Sequence, residues 1–240
     1  KINFKSQIQG KPRYQFPKQN IIFNPINNNK AKYGSAINIG GTSIVNINNC
    51  TFANNTNDYG GDIYFDGQSG GLTANITNSI IWDDIIGVYS TTTVDVSHSI
   101  VQGGYTGTGN LDVNPKFVKV ITTGDEESDY HLADWSPAIG AGTATGAPTT
   151  DIEGNPRPNP AGSNPDMGAF ENKWGTPQNA PPVIATQSDL TIAEDGISTA
   201  TLTATDENDD AITYSAVSDT NAVTVSVSSA TLPLTPNANW

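Results

Sequence analysis

Short runs of alternating apolar and polar residues recur along the first half of the chain. The run Val45-Asn-Ile-Asn-Asn-Cys-Thr-Phe52 is matched in form by residues 74–81 and 94–101. Equivalent residues lie 29 and then 20 positions apart, as Ile47, Ile76 and Val96 do. Side chains alternate between the two faces of a strand, so these three should point inward. A strand-like repeat of this length predicts a solenoid of stacked rungs.

Each repeat passes through a polar corner, which falls at Asn49, Asn78 and His98. Small or amide residues suit such corners because their side chains can form hydrogen bonds in a turn. Stacked corners of this kind should form a ladder of hydrogen-bonding side chains. A single rung buries little apolar surface, so each rung should depend on its neighbours for stability.

Alternation returns near the end of the chain, in two runs that contain Leu202, Ala204, Ile212 and Tyr214. No stretch of useful length shows helical periodicity, so we predict an all-β fold. The strands predicted in this part are 189–193, 199–205, 211–217, 222–228 and 231–235.

The domain boundaries follow from a proline-rich stretch that contains Pro177, Pro181 and Pro182. Prolines close together stiffen a linker. We therefore predict one domain over residues 1–175, a linker over 176–182 and a second domain over 183–240.

Composition and charge narrow the function classes. Charged residues make up only 15% of the 240, and 24 acidic residues outnumber 11 basic ones for a net charge of −13. This acidity makes nucleic acid an unfavourable partner and suits an extracellular protein that binds Ca²⁺. The single Cys50 excludes an internal disulfide and a cysteine metal site. No apolar run approaches the ~18 residues of a membrane span.

Four motifs between residues 129 and 171 carry the most specific resemblance. In order they are Asp129-Tyr-His-Leu132, Ser136-Pro-Ala-Ile-Gly-Ala-Gly142, Asp151-Ile-Glu-Gly-Asn-Pro-Arg-Pro158 and Asp166-Met-Gly-Ala-Phe-Glu171. Together they resemble the choice-of-anchor Q domain, the closing module of many secreted bacterial right-handed parallel β-helices. The resemblance implies that residues 1–175 are the C-terminal rungs of such a β-helix with its closing module.

Arg157 is the cation of this closing module, and its surroundings contain several carboxylates. We predict a structural ion pair with Asp151, Asp166 or Glu171, because a bidentate Arg–carboxylate contact would fix a loop rich in Pro and Gly. The alternative is an arginine that binds a ligand.

Residues 179–240 resemble a cadherin-like or related bacterial immunoglobulin-like repeat. The residues that carry the resemblance are Asn179-Ala-Pro-Pro182, Glu194-Asp-Gly196, Ala204-Thr-Asp206 and Ile212-Thr-Tyr214. The expected fold is a truncated β-sandwich. Because the chain also starts at Lys1 without a signal peptide, we expect it to be a piece of a longer protein with further domains.

A calcium site is predicted in this second domain. Asp206, Asn208 and Asp210 alternate as the oxygen ligands of one loop can, and Ca²⁺ prefers carboxylate and amide oxygens. The resemblance adds Glu194 as a ligand and Asn179 as a weaker one. The alternative is a polar loop between two strands.

Enzymatic activity finds little support in the motifs. Asp83-Asp84, after Trp82, resembles part of a polygalacturonase site, but that family's Gly-His-Gly and Arg-Ile-Lys motifs are absent. Neighbouring strand residues also point to opposite faces, so one carboxylate of the pair should be solvated. Tyr64, Trp82 and Tyr89 are candidates for stacking on sugar rings. The alternative is that some of these aromatics fill the core or cap turns.

These observations predict a non-catalytic bacterial protein, secreted or on the cell surface, that serves adhesion or matrix assembly. Its partners would be surface or matrix glycans or proteins, and Ca²⁺ would stiffen the joint to later repeats. The alternative is a carbohydrate-active β-helix enzyme, a polysaccharide lyase or a glycoside hydrolase, or a glycan-binding module.

Overall fold

A computed structural model describes residues 18–237, apart from 23–24, 42–43, 60, 68–70, 85, 122–127, 194–195 and 209. The described residues form strands, turns and bends with no helix, so the prediction of an all-β chain is confirmed. It follows that this part of the chain has no helix able to cross a membrane. The chain divides into two compact units, Lys1–Gln178 and Asn179–Trp240, and each is described separately.

Fifteen of the strands found in the described residues belong to the first unit. They are β1 (Lys18–Ile22), β2 (Pro25–Asn27), β3 (Lys30–Tyr33), β4 (Ile37–Gly40), β5 (Ile44–Asn48), β6 (Thr51–Ala53), β7 (Thr56–Tyr59), β8 (Ile63–Asp66), β9 (Leu72–Thr77), β10 (Ile80–Trp82), β11 (Ile86–Tyr89), β12 (Thr92–Ser97), β13 (Ile100–Val101), β14 (Phe117–Lys119) and β15 (Asp129–Leu132).

The first thirteen strands stack in parallel sheets. Sheet 1 has the order β1-β5-β9-β12, sheet 2 has β2-β6-β10-β13, and sheet 3 has β4-β8-β11, while β3 pairs with β7. Strands that follow each other along the chain enter different sheets, so each sheet grows by one strand per coil. Parallel strands need such crossover connections because a tight hairpin can join only antiparallel neighbours.

The register of sheet 1 confirms the sequence repeat. Ile47 pairs with Ile76 and Ile76 with Val96, and all three side chains are buried. The same inward positions of sheets 2 and 3 hold Phe52 and Phe65, which are fully buried. Full burial of a side chain of this size stabilises the fold by roughly 1.5–3 kcal/mol. The coils are therefore held together by one continuous apolar core.

The predicted polar corners adopt left-handed backbone. Asn49, Asn78 and His98 have φ values of 50°, 52° and 46°. Asn and His enter this region more readily than β-branched residues, because a branched Cβ clashes there with the main chain. Each corner turns the chain from sheet 1 into sheet 2, between β5 and β6, β9 and β10, and β12 and β13.

Residues 133–178, the turn-rich segment, follow the antiparallel pair β14–β15 and contain no strand. This segment packs on the corners of the coils. Gly168 N–H donates to the carbonyl of Asn78 at 2.8 Å, and Ala169 N–H donates to Thr51 Oγ1 at 3.0 Å. Gly168 has a φ of 100°, which favours glycine, and a Cβ there would also lie 2.8 Å from Ile80 Cδ1 and 2.9 Å from Thr51 Oγ1.

The second unit has two small antiparallel sheets. One has the order β17-β20-β19 and the other pairs β16 with β18. Its strands are β16 (Val183–Ile184), β17 (Ser198–Thr201), β18 (Ala204–Thr205), β19 (Val223–Val225) and β20 (Thr231–Pro236).

Two of the five strands predicted for the second unit are wrong. The described residues at 189–193 and 211–217 form no strand, and the predicted strand 199–205 is split into β17 and β18 at Leu202. A strand forms only where its main chain finds a pairing partner. Leu190 and Val217 are exposed, at 46% and 93%, so burial does not hold these two segments in place either.

Candidate functional site

A buried ladder of polar side chains runs along the turn after sheet 2. Asn55 Oδ1 accepts hydrogen bonds from the N–H and the Nδ2 of Asn29, at 3.0 and 2.9 Å. Asp84 repeats this one coil later, because its Oδ1 accepts from Asn55 N–H at 2.8 Å and its Oδ2 from Asn55 Nδ2 at 2.7 Å. The sequence analysis missed this ladder. The signal is the pair of amide or acid residues that follows each of the first three strands of sheet 2, at 28–29, 54–55 and 83–84.

Asp84 is the charged member of the ladder and is only 5% exposed. Burial raises the pKa of its carboxyl to about 7, opposed by the hydrogen bonds from Asn55 and assisted by the charges of Asp62 and Asp83. Asp83 is exposed, with a φ of 60°. The two carboxylates thus occupy different environments, with Asp84 committed to the main chain and side chain of Asn55. Such a placement indicates a structural role for Asp84.

A second polar cluster surrounds Arg157 in the turn-rich segment. The side chains of Arg157 and Glu171 are both fully buried, and Arg157 Nε lies 2.7 Å from Glu171 Oε2. This contact is an ion pair in which the N–H is not directed at the oxygen. Arg157 Nη1 donates to the carbonyl of Gly168 at 3.1 Å. The arginine thereby ties the middle of this segment to the turn at Gly168–Glu171.

Asp151 and Asp166, the other predicted partners of Arg157, bind main-chain groups. Asp151 accepts from the N–H groups of Glu153, Asn155 and Glu171 at 2.8–3.0 Å. Asp166 accepts from the N–H groups of Gly140 and Asn172 at 2.7 and 2.6 Å. The ion pair in the described structure is the one with Glu171. The sequence could not select among three acids, because the turns between them decide which carboxylate reaches the guanidinium.

Burial dominates the electrostatics of this cluster. It raises the pKa of Asp166 to about 8, and the charge of Glu171 adds to the rise. It also raises the pKa of Glu171, although Arg157 opposes the shift. Burial alone would raise the pKa of Asp151, but the side chain of Asn155 and three N–H donors lower it below the usual value. With Asp166 neutral at pH 7, the cluster carries less repulsion than its composition indicates.

His131 forms a third polar contact that the sequence analysis missed. Its Nδ1 lies 2.5 Å from Asp129 Oδ1 and its Nε2 lies 3.1 Å from Glu153 Oε2, while its ring packs 4.1 Å from that of Phe170. Burial lowers the pKa of His131, but the two carboxylates outweigh this and raise it overall. The protonated ring can donate to both carboxylates, so it joins β15 to the turn at Asp151–Asn155.

Two of the three aromatic residues predicted to stack on sugars share one face of sheet 3. Tyr64 pairs with Gly87 and Tyr89 pairs with Asp66, which places both tyrosines at positions that alternate with the buried Phe65. Tyr89 is 56% exposed, and Tyr64 is half-buried. Trp82 lies in β10 of sheet 2, where it packs against a separate apolar cluster that includes Ile80 and Ile100.

The acidic loop of the second unit brings two of the predicted calcium ligands together. Asp206 Oδ1 accepts from the N–H groups of Asn208 and Asp210 at 2.9 and 3.1 Å. Asp206 and Asp210 line a surface concavity with Ala204, Thr205 and Ile212.

Asn179 and Asn208 are not among the residues that line this concavity. Asn208 Oδ1 accepts from Ala180 N–H at 2.5 Å. Asn179 is exposed, and Glu194 lies outside the described residues. The described residues contain no group of three or more His, Cys, Asp or Glu side chains placed to hold a metal ion. Carboxylate oxygens suit Ca²⁺ in kind, and two carboxylates of the described loop line the concavity.

Comparison of the chain with protein-family models, curated proteins and solved structures finds no significant match.

Proposed function

We propose that this chain is a non-catalytic bacterial protein, secreted or on the cell surface, that serves adhesion or matrix assembly. In this proposal the first unit is a right-handed parallel β-helix with a closing module, and the second is an immunoglobulin- or cadherin-like unit. In-register parallel pairing of sheets 1, 2 and 3 supports the β-helix assignment. A stack of coils gives a rigid surface on which a partner can bind at several rungs.

The observation that carries the proposal is that the buried carboxyl groups accept hydrogen bonds from neighbouring residues of the fold. Asp84 and Asp166 have the pKa values raised furthest, which in an enzyme would mark acid–base catalysts. Both are instead bound by the fold. Asp84 accepts two hydrogen bonds from Asn55, and Asp166 accepts from the main chain at Gly140 and Asn172. Perturbed pKa values of this origin support structure rather than turnover.

The surface of sheet 1 supports a binding role in the same way. Asn75 Nδ2 donates to Asn46 Oδ1 at 2.9 Å between neighbouring coils, at positions that alternate with the buried Val45, Ile47 and Ile76. Threonine and serine occupy further positions in β9 and β12. An outer face of hydroxyl and amide groups, together with the exposed carboxylate of Asp95 beside Asn75, can hydrogen-bond a repetitive ligand.

The alternative is a carbohydrate-active β-helix enzyme or a glycan-binding module. The shared face of Tyr64 and Tyr89 favours the binding module. The test is to measure retention of the purified chain on immobilised glycans and matrix proteins, and to assay the same glycans for reducing ends and unsaturated products. Retention without product supports the proposal, and turnover would make the enzyme the better assignment.

Calcium is proposed to bind at Asp206 and Asp210 in the second unit. A ligand that binds only the folded state stabilises it by about 2.7 kcal/mol at a concentration 100 times its Kd. We expect added Ca²⁺ to raise the melting temperature of the second unit, and chelation to reverse the change. Asp206→Asn should remove most of this response, because it deletes the charge while keeping the acceptor for Asn208 and Asp210.

The matched control for calcium is Asp219→Asn, which removes an exposed carboxylate of the same unit. It should leave the Ca²⁺ response unchanged. Calorimetry that detects no binding down to millimolar dissociation constants would rule out the calcium site. It would leave the adhesion proposal standing, because that proposal rests on the first unit.

A further inference from the structure

The outward face of sheet 3 carries a pair of tyrosines on a floor with few side chains. Ile63 and Phe65 of β8 point into the core and are fully buried, so Tyr64 and Asp66 occupy the opposite, outward positions. In the neighbouring strands, Asn38 and Gly87 pair with Tyr64, and Gly40 and Tyr89 pair with Asp66. We call these six residues the tyrosine face: Asn38, Gly40, Tyr64, Asp66, Gly87 and Tyr89.

The register fixes the spacing of the two tyrosines. They lie one strand apart across the sheet and two residues apart along it, so their Cα atoms are separated by roughly 8 Å for ideal strand geometry. Gly87 beside Tyr64 and Gly40 beside Asp66 contribute no side chain above the main chain. These two positions therefore leave the main chain beside Tyr64 and Asp66 without a side chain of their own.

The chemistry of the tyrosine face suits a sugar chain. A tyrosine presents an apolar ring that can pack on the C–H face of a pyranose and a hydroxyl that can hydrogen-bond it. Asp66 and Asn38 add an acceptor and an amide beside the rings. Asp66 Oδ1 is buried and has no hydrogen-bond donor among the described residues, so a sugar hydroxyl can reach Asp66 only at Oδ2. Tyr89 is 56% exposed although it is a large aromatic, which marks it as available to a partner.

Charge decides the class of glycan. No Lys or Arg occurs between Tyr33 and Pro115, while this stretch contains seven aspartates and no glutamate. An acidic sugar such as a uronate would meet Asp66 and this negative field without a compensating cation. Like charges brought together at an interface cost binding energy and reject the wrong partner. A neutral glycan meets no such electrostatic penalty, and its hydroxyl groups can donate hydrogen bonds to Asp66.

We propose that the tyrosine face binds a neutral glycan chain, with sugar rings stacked on Tyr64 and Tyr89 and hydroxyl groups hydrogen-bonded by Asp66 and Asn38. The inference rests on the proposed adhesive function and gives it a ligand class and a place on the fold. A protein partner on the same face, or an acidic glycan, is an outcome of the test below.

The experiment is calorimetric titration of the full chain with linear hexasaccharides: neutral hexamers of glucose and of mannose in different linkages, and a hexamer of galacturonate. We expect saturable binding of at least one neutral hexamer and none of the galacturonate. Tyr89→Ala should weaken neutral binding about fivefold or more, because truncating a central aromatic contact costs over ~1 kcal/mol. Tyr89→Phe, which keeps the ring, should retain most of the affinity.

Trp174→Ala is the control, because it removes an exposed aromatic from the turn-rich segment rather than from sheet 3. It should bind the neutral hexamer as the unaltered chain does. The inference is overturned if no neutral hexamer binds, if galacturonate binds better, or if Tyr89→Ala and Trp174→Ala bind equally. In those cases retention on matrix proteins would still support the adhesive function. Absence of both glycan binding and retention on matrix proteins would contradict the inference and the adhesive function together.

Discussion

Arg157→Met should destabilise the first unit by about 3–5 kcal/mol, the usual effect of removing one partner of a buried ion pair. The reason is that Glu171 would remain fully buried without its counter-charge. Glu171 also accepts from the N–H groups of Asn159 and Asp166, at 3.0 and 3.2 Å, so it cannot swing out to water without breaking these bonds. The measurement is the free energy of unfolding in urea, followed by tryptophan fluorescence.

Two further variants separate this effect from a general loss of packing. Arg157→Met combined with Glu171→Gln should recover part of the lost stability, because the unpaired charge is removed while the amide oxygen can still accept one of the two N–H groups that bind Glu171. Lys173→Met breaks the ion pair of Lys173 with Asp134, whose side chains are 65% and 43% exposed. That pair should contribute less than ~1 kcal/mol. Equal effects of Arg157→Met and Lys173→Met would contradict the role given to the buried pair.

The second large effect is a loss of stability as the pH rises from about 4 to about 8. The folded-state pKa is raised to about 7 for Asp84 and about 8 for Asp166, against 3.8 for an ordinary Asp. A carboxyl of this kind holds its proton more tightly in the folded chain than in the unfolded chain. The stability that it contributes is fully present below about pH 4 and is lost as the pH rises to the folded-state pKa. For Asp84 the change is on the order of 4 kcal/mol, because each pKa unit is worth ~1.4 kcal/mol.

Other groups set the limits of this pH dependence. The raised pKa of His131 acts in the same direction, since its stabilisation is present below the unfolded-state pKa and is lost as the pH rises. The pKa values of Asp129 and Asp151 are lowered. Their stabilisation is present above the unfolded-state pKa and is lost as the pH falls below about 4. Stability should therefore be greatest near pH 4.

Asp84→Asn tests whether the buried carboxyl of Asp84 contributes to this pH dependence. An amide oxygen at position 84 can accept both donors of Asn55, as Asn55 Oδ1 already does for Asn29. The variant should therefore fold, should be more stable than the unaltered chain at pH 8, and should lose much of the slope between pH 4 and 7. Asp83→Asn, which changes the exposed neighbour, should keep the slope. Urea denaturation across this pH range that shows the same slope in Asp84→Asn would contradict the role of the ladder.

The sequence was most informative where local pattern and packing agree. Ile47, Ile76 and Val96 were predicted to align because alternation, corner residues and repeat length point to the same register, and the structure aligns them. The ladder of Asn29, Asn55 and Asp84 escaped notice although its residues are visible in the sequence. Its spacing changes from 26 to 29 residues, because the connections between strands differ in length from coil to coil.

Prediction failed where distant residues decide the structure. Residues 211–217 alternate like a strand, yet they form none in the described structure because no other strand pairs with them. Trp82 follows two buried isoleucines. Only its packing against the apolar cluster of Ile80 and Ile100 shows that it lies away from Tyr64 and Tyr89. The choice of Glu171 by Arg157 depends in the same way on turns whose geometry the sequence does not reveal.

The most direct test of the central claim is a single assay that records both retention and turnover. The purified chain is passed over immobilised neutral glycans, acidic glycans and matrix proteins, and each eluate is analysed for reducing ends and unsaturated sugars. The account predicts saturable retention on at least one surface and no released product at any pH from 4 to 8. Release of product that grows with time, and that is abolished by Asp84→Asn, would show that the buried carboxyl is a catalyst and would contradict the account.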